Sequence, residues 1–160
     1  MQEFDVVLPD EAATLALGAA LAAALQADAE GGVIFLNGDL GAGKTTLTRG
    51  LLHALGHSGA VKSPTYTLIE SYEAGGLSLH HLDLYRLGSP DELDFLGLRE
   101  LMVPGAVFLI EWPQQGGDWL PLPRLQIDLS YDGEGRRAHL YSNSATELLK
   151  RLKSTITTCD

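Results

Sequence analysis

An α/β sandwich on a small mixed sheet is the fold this sequence predicts, and three observations predict it. A glycine-rich loop, Gly38-Asp-Leu-Gly-Ala-Gly-Lys-Thr45, stands between the apolar run 33–36 and the helix-forming run 46–52. Helical and strand-like segments interleave along the chain, as they do where helices pack on a sheet. Two hairpin signatures add antiparallel pairs, so the sheet cannot be purely parallel. Strand, glycine loop and helix in that order make the prediction a P-loop NTPase-type three-layer sandwich.

The elements follow in order. Residues 3–8 read as a strand. Pro9-Asp10-Glu11 opens a helix, with Asp10 as its cap and Glu11 favoured in the first turn. Leu15, Gly18, Leu21, Ala22 and Leu25 recur at helical spacing, and Gly31-Gly32 stop the segment. The P-loop unit comes next, its helix ending near Gly56. Residues 57–66 carry turn signals. Runs 67–73 and 77–84, joined by Ala74-Gly75-Gly76, form a hairpin. Ser89-Pro90-Asp91-Glu92 reads as a capping box that starts a short helix. Residues 106–110 make a buried strand, and 113–123 a loop. Runs 124–131 and 136–141 make a second hairpin across 132–135. Ser144-Ala145-Thr146-Glu147 caps a last helix that runs to about Lys153, with a frayed tail over 154–160. Residues 1–153 are expected to form one domain.

Composition narrows the function classes. A chain of 160 residues with 45% hydrophobic and 20% charged residues suits one soluble domain with a proper core. No run reaches the ~18 apolar residues of a membrane span, and no basic segment precedes the Ala/Leu-rich stretch 12–25. The one cysteine excludes an intrachain disulfide and agrees with a cytoplasmic location. A net charge of −10 argues against a broad basic surface gripping nucleic acid unaided. Arg136-Arg137 and Lys150-Arg151-Lys153 are candidate local patches, but a hairpin start and a solvated helix face account for them better.

The chemistry gathers around the loop. Glycines at 38, 41 and 43 let successive backbone N–H groups, including that of Ala42, converge on an anion. The helix N-terminus adds unpaired donors and a positive dipole end. Lys44 supplies a cation for the outer phosphates, and the Thr45 hydroxyl can ligate Mg²⁺. Glu111 closes the apolar strand and stands where a Walker B carboxylate would; the alternative is a strand-end glutamate in solvent. Strand alternation puts His81, Asp83 and Tyr85 on one face, after Leu77 and Leu79. That cluster either holds a metal-bound water or the γ-phosphate, or is a structural hydrogen-bonded set. Thr65, in Ser63-Pro-Thr-Tyr-Thr67, lies where a nucleotide-sensing loop would fall, or in a plain turn. Arg86 can salt-bridge or reach phosphate. His53, His57 and His139 show no ligand spacing.

Four segments together carry a resemblance: Asn37-Gly-Asp-Leu-Gly-Ala-Gly-Lys-Thr-Thr-Leu-Thr-Arg-Gly50, Val61-Lys-Ser-Pro-Thr-Tyr-Thr-Leu68, His81-Leu-Asp-Leu-Tyr-Arg86 and Leu109-Ile-Glu-Trp-Pro113. In this order and spacing the chain, from about Pro9 to Leu140, resembles the bacterial TsaE family, small ATPases of tRNA threonylcarbamoyladenosine (t6A) biosynthesis. The resemblance implies an ATP- and Mg²⁺-dependent protein acting on a partner pair, TsaD and TsaB, with tRNA reached only through them and no membrane involved. It further implies that Gly41, Gly43, Lys44, Thr45 and Thr46 hold phosphates, that Thr45 and Glu111 bind Mg²⁺, and that Asp83 supports hydrolysis. Trp112 would line the nucleotide or the partner-facing side.

Two other classes remain. A small-molecule or nucleoside kinase shares the P-loop, but no arginine-rich lid segment is visible. A nucleotide-gated interaction module would hydrolyse only incidentally. A GTPase is disfavoured, because no Asn-Lys-x-Asp guanine reader occurs in the chain.

Overall fold

The computed structural model describes residues 2–143 and 147–158. All seven strands join one sheet in the order β1-β7-β6-β2-β5-β4-β3. These are β1 (Gln2–Leu8), β2 (Gly32–Asn37), β3 (Ile69–Ala74), β4 (Leu77–Asp83), β5 (Val107–Glu111), β6 (Leu125–Asp132) and β7 (Gly135–Ser142). The central strands β6, β2, β5 and β4 pair in parallel. Antiparallel partners flank them, β3 on one side and β7 then β1 on the other. The sheet is mixed, as the two hairpin signatures predict.

Sequence pattern explains which strands go inside. Strand β5 is apolar along its first four residues and buried at every position, as a central parallel strand must be. Strand β6 alternates, with Leu125, Ile127 and Leu129 buried and Gln126 and Asp128 half-buried, as a strand covered on one face does. Helices α1 (Glu11–Asp28), α2 (Lys44–Ala54) and α5 (Glu147–Thr158) cover one face. There Leu21, Leu25, Leu47, Leu51 and Leu152 meet Leu36, Leu109 and Leu140 of the sheet. The short helices α3 (Glu92–Phe95) and α4 (Leu98–Leu101), with two 3-10 turns at 113–119, form a thinner layer over Leu82, Phe108 and Ile110. Helices α1 and α2 cross very closely. A Cβ on Gly18 would strike the Leu47 carbonyl, and one on Gly50 would strike the Leu15 carbonyl.

Several boundaries differ from the sequence expectation, each for a local reason. Helix α1 stops at Ala29 in the left-handed region (φ 59°), not at the glycine pair. There Asp28 is tied by both nitrogens of Arg124 (2.8 and 3.0 Å) and accepts from the Glu30 N–H. The Asp10 cap forms, accepting from Ala13 N–H at 2.9 Å. The capping box at Ser89 does not. Its hydroxyl goes to the Asp91 carboxylate, and Glu92 N–H donates to the Ser89 carbonyl, so only a four-residue helix follows. Strand β3 begins at Ile69, because Leu68 N–H turns back to the Pro64 carbonyl (2.8 Å). Helix α5 continues to Thr158 where a frayed tail from Ser154 is expected. The buried pair Leu148 and Leu152 extends at helical spacing to Ile156, which packs on the same core. The expected cap at 144–146 and Cys159 lie outside the described residues.

Candidate functional site

The parallel strands aim their C-terminal ends at one edge of the sheet, where α/β proteins bind ligands. Strand β2 ends at Asn37 and passes into the P-loop, β4 ends at Asp83, and β5 ends at Glu111. Asp83 and Glu111 are paired in register across β4 and β5. Parity puts them on the face of Leu79 and Leu109, which is the face covered by α2. Helix α2 therefore starts directly over two carboxylates.

The loop has the backbone an anion site needs. Gly41 and Gly43 sit at φ 83° and 113°, which L side chains rarely adopt. The first helical N–H groups have no carbonyl one turn earlier; Leu47 is the first to find one, on Gly43 (2.9 Å). The N–H groups of Lys44, Thr45 and Thr46 are thus the free donors at the mouth. Ala42 differs from expectation. Its N–H donates to the Asp39 carbonyl (3.0 Å) and its side chain is fully buried, so it shapes the loop instead of joining the converging donors.

Lys44 is 5% exposed and folds back over its own loop. Its Nζ donates to the Gly38 carbonyl (2.6 Å), lies 3.5 Å from Glu111 Oε1, and sits 4.5 Å above the Trp112 ring. The other carboxylate oxygen of Glu111 accepts from His81 Nε2 at 2.5 Å, and His81 has no exposed surface. A carboxylate this buried needs partners on both oxygens, and it has them. Asp83 accepts from the Thr65 hydroxyl (3.3 Å) and the Tyr85 N–H (3.0 Å). Thr65 also shares a hydrogen bond with Ser63 (2.7 Å), and the Leu68 carbonyl accepts from the Asp83 N–H (3.0 Å), so the 63–68 segment is tied to Asp83 at two points.

Tyr85 leaves the face where alternation puts it. The Asp83 carboxylate captures the Tyr85 N–H, turns the chain and ends the strand. Tyr85 instead lies against Trp112, ring centroids 5.0 Å apart. Trp112 is held at φ 55°, ψ 50°, and its indole N–H is buried without a partner among the described residues. With Asn37, Gly38, Asp39 and Gln114 it lines a cleft of about 180 Å³. The Arg86 guanidinium lies over the Tyr66 ring, 4.4 Å from its centroid.

The donor set suits a hard divalent cation. Thr45 is exposed at the helix start, and Glu111 and Asp83 offer carboxylate oxygens nearby. Among the described residues no three His, Cys, Asp or Glu side chains form a metal cage. Mg²⁺ needs none, since it takes one or two protein oxygens and completes its shell with phosphate and water.

The remaining histidines stand apart. His53 is exposed, and His57 meets Tyr72 edge to face. His139 lies between Asp5 (2.5 Å) and Glu3 (3.1 Å) on the far strands, and its hydrogen bond to Asp5 raises its pKa above the ordinary value. Lys150 pairs with Glu147 (3.8 Å) and Arg137 with Asp132 (3.4 Å). Sequence reasoning missed Tyr131, and it read Arg136 as a hairpin start without linking it to the loop. The Tyr131 hydroxyl donates to the Leu40 carbonyl (3.0 Å), and Arg136 donates to the Gly41 carbonyl (3.1 Å). No motif marks them, because only the pairing of β6 with β7 beside β2 carries them to the loop. No described helix is long and apolar enough to cross a membrane.

Known proteins resemble this chain in sequence and in fold. The family model described as threonylcarbamoyl adenosine biosynthesis protein TsaE matches residues 8–139. The tRNA threonylcarbamoyladenosine biosynthesis protein TsaE of Haemophilus influenzae is 42% identical over 146 residues, covering 90% of this chain and 92% of that protein. The protein of the same name from Bacillus subtilis is 45% identical over 107 residues, covering 67% of this chain and 66% of that one. The crystal structure of Bacillus subtilis YdiB matches with a TM-score of 0.77 and 28% identity, over 99% of this chain and 97% of that one.

Proposed function

The chain belongs to the TsaE family, and on that footing we propose that it is a Mg²⁺-dependent ATPase serving t6A biosynthesis. It acts on the TsaD–TsaB complex in the cytoplasm and does not itself modify tRNA. The observation that carries the reading is Lys44, buried at the start of α2 and within 3.5 Å of a carboxylate from the neighbouring strand. A cation and an acid poised together under a helix N-terminus suit a triphosphate with its metal.

Each side chain has a task in this reading. Lys44 exchanges the Gly38 carbonyl for the outer phosphate oxygens. The free N–H groups of Lys44, Thr45 and Thr46 bind the phosphate chain. Thr45 and Glu111 would hold Mg²⁺, which neutralises charge on the phosphates. His81 keeps the Glu111 carboxylate aimed at the loop. Asp83 orients the attacking water, whose oxygen bonds to the γ-phosphorus as the bridge to ADP breaks. Thr65 leaves Asp83 when the γ-phosphate arrives and returns after its loss.

The test is phosphate release by the chain alone, and with the partner pair and tRNA, counting modified nucleosides in parallel. The reading expects free phosphate, stimulated by the partners and required for repeated rounds of modification. A phosphorylated acceptor in place of free phosphate would make the protein a kinase. Sustained modification by a variant that binds but does not hydrolyse ATP would reduce it to a nucleotide-gated binding module.

A further inference from the structure

Part of the sheet face turned away from α1, α2 and α5 is left open. There β2 presents Phe35 and Asn37, and β6 presents Gln126, on the side opposite the buried Leu36 and Ile127. A groove of about 620 Å³ lies between these side chains and the segment 113–123, which contributes Asp118, Leu120 and Leu122. Two amides in the groove are fixed in orientation. Asn37 Nδ2 donates to Asp128 Oδ1 (2.8 Å), and Gln126 Oε1 accepts from the Tyr141 hydroxyl (3.0 Å). The amides are neighbours, with Asn37 Nδ2 3.5 Å from Gln126 Oε1. This leaves Asn37 Oδ1 as an acceptor and Gln126 Nε2 as a donor, neither with a partner among the described residues. Leu122 stands between Pro121 and Pro123 and is 91% exposed. The two prolines restrict the backbone on either side, so a rigid stretch holds this apolar side chain out in water.

The geometry points to this groove as the docking site for an extended segment of a partner protein, one that carries an apolar side chain next to a lysine or arginine. The inference uses no residue of the nucleotide reading and stands apart from it. A peptide unit has one N–H and one C=O. These complement the Asn37 carbonyl and the Gln126 amide nitrogen, which Asp128 and Tyr141 already hold in place, so little ordering cost remains. Leu120 and Leu122 offer the surface for the apolar side chain, and a leucine on a rigid rim loses little freedom on docking. Charge sets the sign of the partner. No lysine or arginine lines the groove, and Asp118 is exposed with no cationic partner among the described residues. The whole chain carries −10. Because the rim leucine stands free, the groove is open to solvent and suits a chain laid across it, where a small ligand would need enclosing walls.

The test is an NMR titration of the isotope-labelled chain with the capped peptide acetyl-Lys-Leu-Lys-Leu-Lys-amide. Controls are the same peptide with glutamate for lysine, a version N-methylated at its leucines, and N-methylacetamide alone. The basic peptide shifts the side-chain amide signals of Asn37 and Gln126 and the backbone signals of 118–122, and the shifts saturate. The acidic peptide does not bind, and N-methylation weakens binding about fivefold, since it removes the N–H that Asn37 accepts. Leu122→Ser weakens binding about tenfold and Asp118→Asn about threefold; the dispersion of the spectra confirms that both variants fold. Absence of a saturating shift, equal binding of the acidic peptide, or undiminished binding by Leu122→Ser would overturn the inference. N-methylacetamide binding as tightly as the peptide would overturn it too, by making the groove a site for a small amide.

Discussion

Two histidine–carboxylate pairs in this molecule have the same length and opposite surroundings. His81 and Glu111 meet at 2.5 Å with side chains 0% and 5% exposed. His139 and Asp5 also meet at 2.5 Å, but on the uncovered face of β7 and β1, 37% and 52% exposed. Water screens the second pair and can replace either partner. It reaches the first hardly at all, so there each group depends on the other, and Lys44 on Glu111. The same chemistry is a surface contact in one place and a fixed charge arrangement in the other.

The largest effect expected from breaking this contrast is on the buried side. His81→Ala leaves the Glu111 carboxylate one partner short and costs about 3 kcal/mol of stability, the scale for breaking a buried charge-assisted contact. Urea unfolding reads it, and a loss no larger than that of a surface variant would refute the dependence. Lys44→Ala follows, weakening ATP binding about a hundredfold, since it removes the buried cation that faces the phosphates. Unchanged affinity by calorimetry would remove Lys44 from the site. Glu111→Gln keeps the shape and loses the charge. It lowers Mg²⁺-dependent turnover about tenfold or more while sparing binding measured without metal; equal losses in both assays would indicate misfolding.

The smallest effect lies on the exposed side and has a sign. The hydrogen bond to Asp5, opposed by partial burial, raises the His139 pKa above its unfolded value near ~6.5. Its contribution to stability is therefore complete below that pH and disappears as pH rises through the folded value. His139→Gln should flatten this slope in unfolding curves taken between about pH 5 and 9, by less than about 1 kcal/mol. A larger change would mean that the exposed pair is not screened as described.

The buried site was also the more legible in sequence. Local order sufficed for Lys44, since strand, loop and helix are contiguous, and for Glu111, which ends a run of four apolar residues. The shared face of His81 and Asp83 followed from strand parity. Legibility stopped where side chains rewrote the backbone or where register decided. The Asp83 side chain ends its own strand and turns Tyr85 onto Trp112. Ser89 bonds to Asp91 instead of capping a helix. The Ala42 amide closes on Asp39. Tyr131 and Arg136 lie more than 90 residues from the loop carbonyls they hold, a distance closed only by the pairing of β6 with β2 and of β7 with β6.

The most direct measurement is a crystal structure with a non-hydrolysable ATP analogue and Mg²⁺. It should show Lys44 Nζ moved from the Gly38 carbonyl onto phosphate oxygens, with the metal between Thr45, the phosphates and the Glu111 carboxylate. Lys44 still folded against Gly38 and Trp112, or Glu111 remote from the metal, would contradict the account.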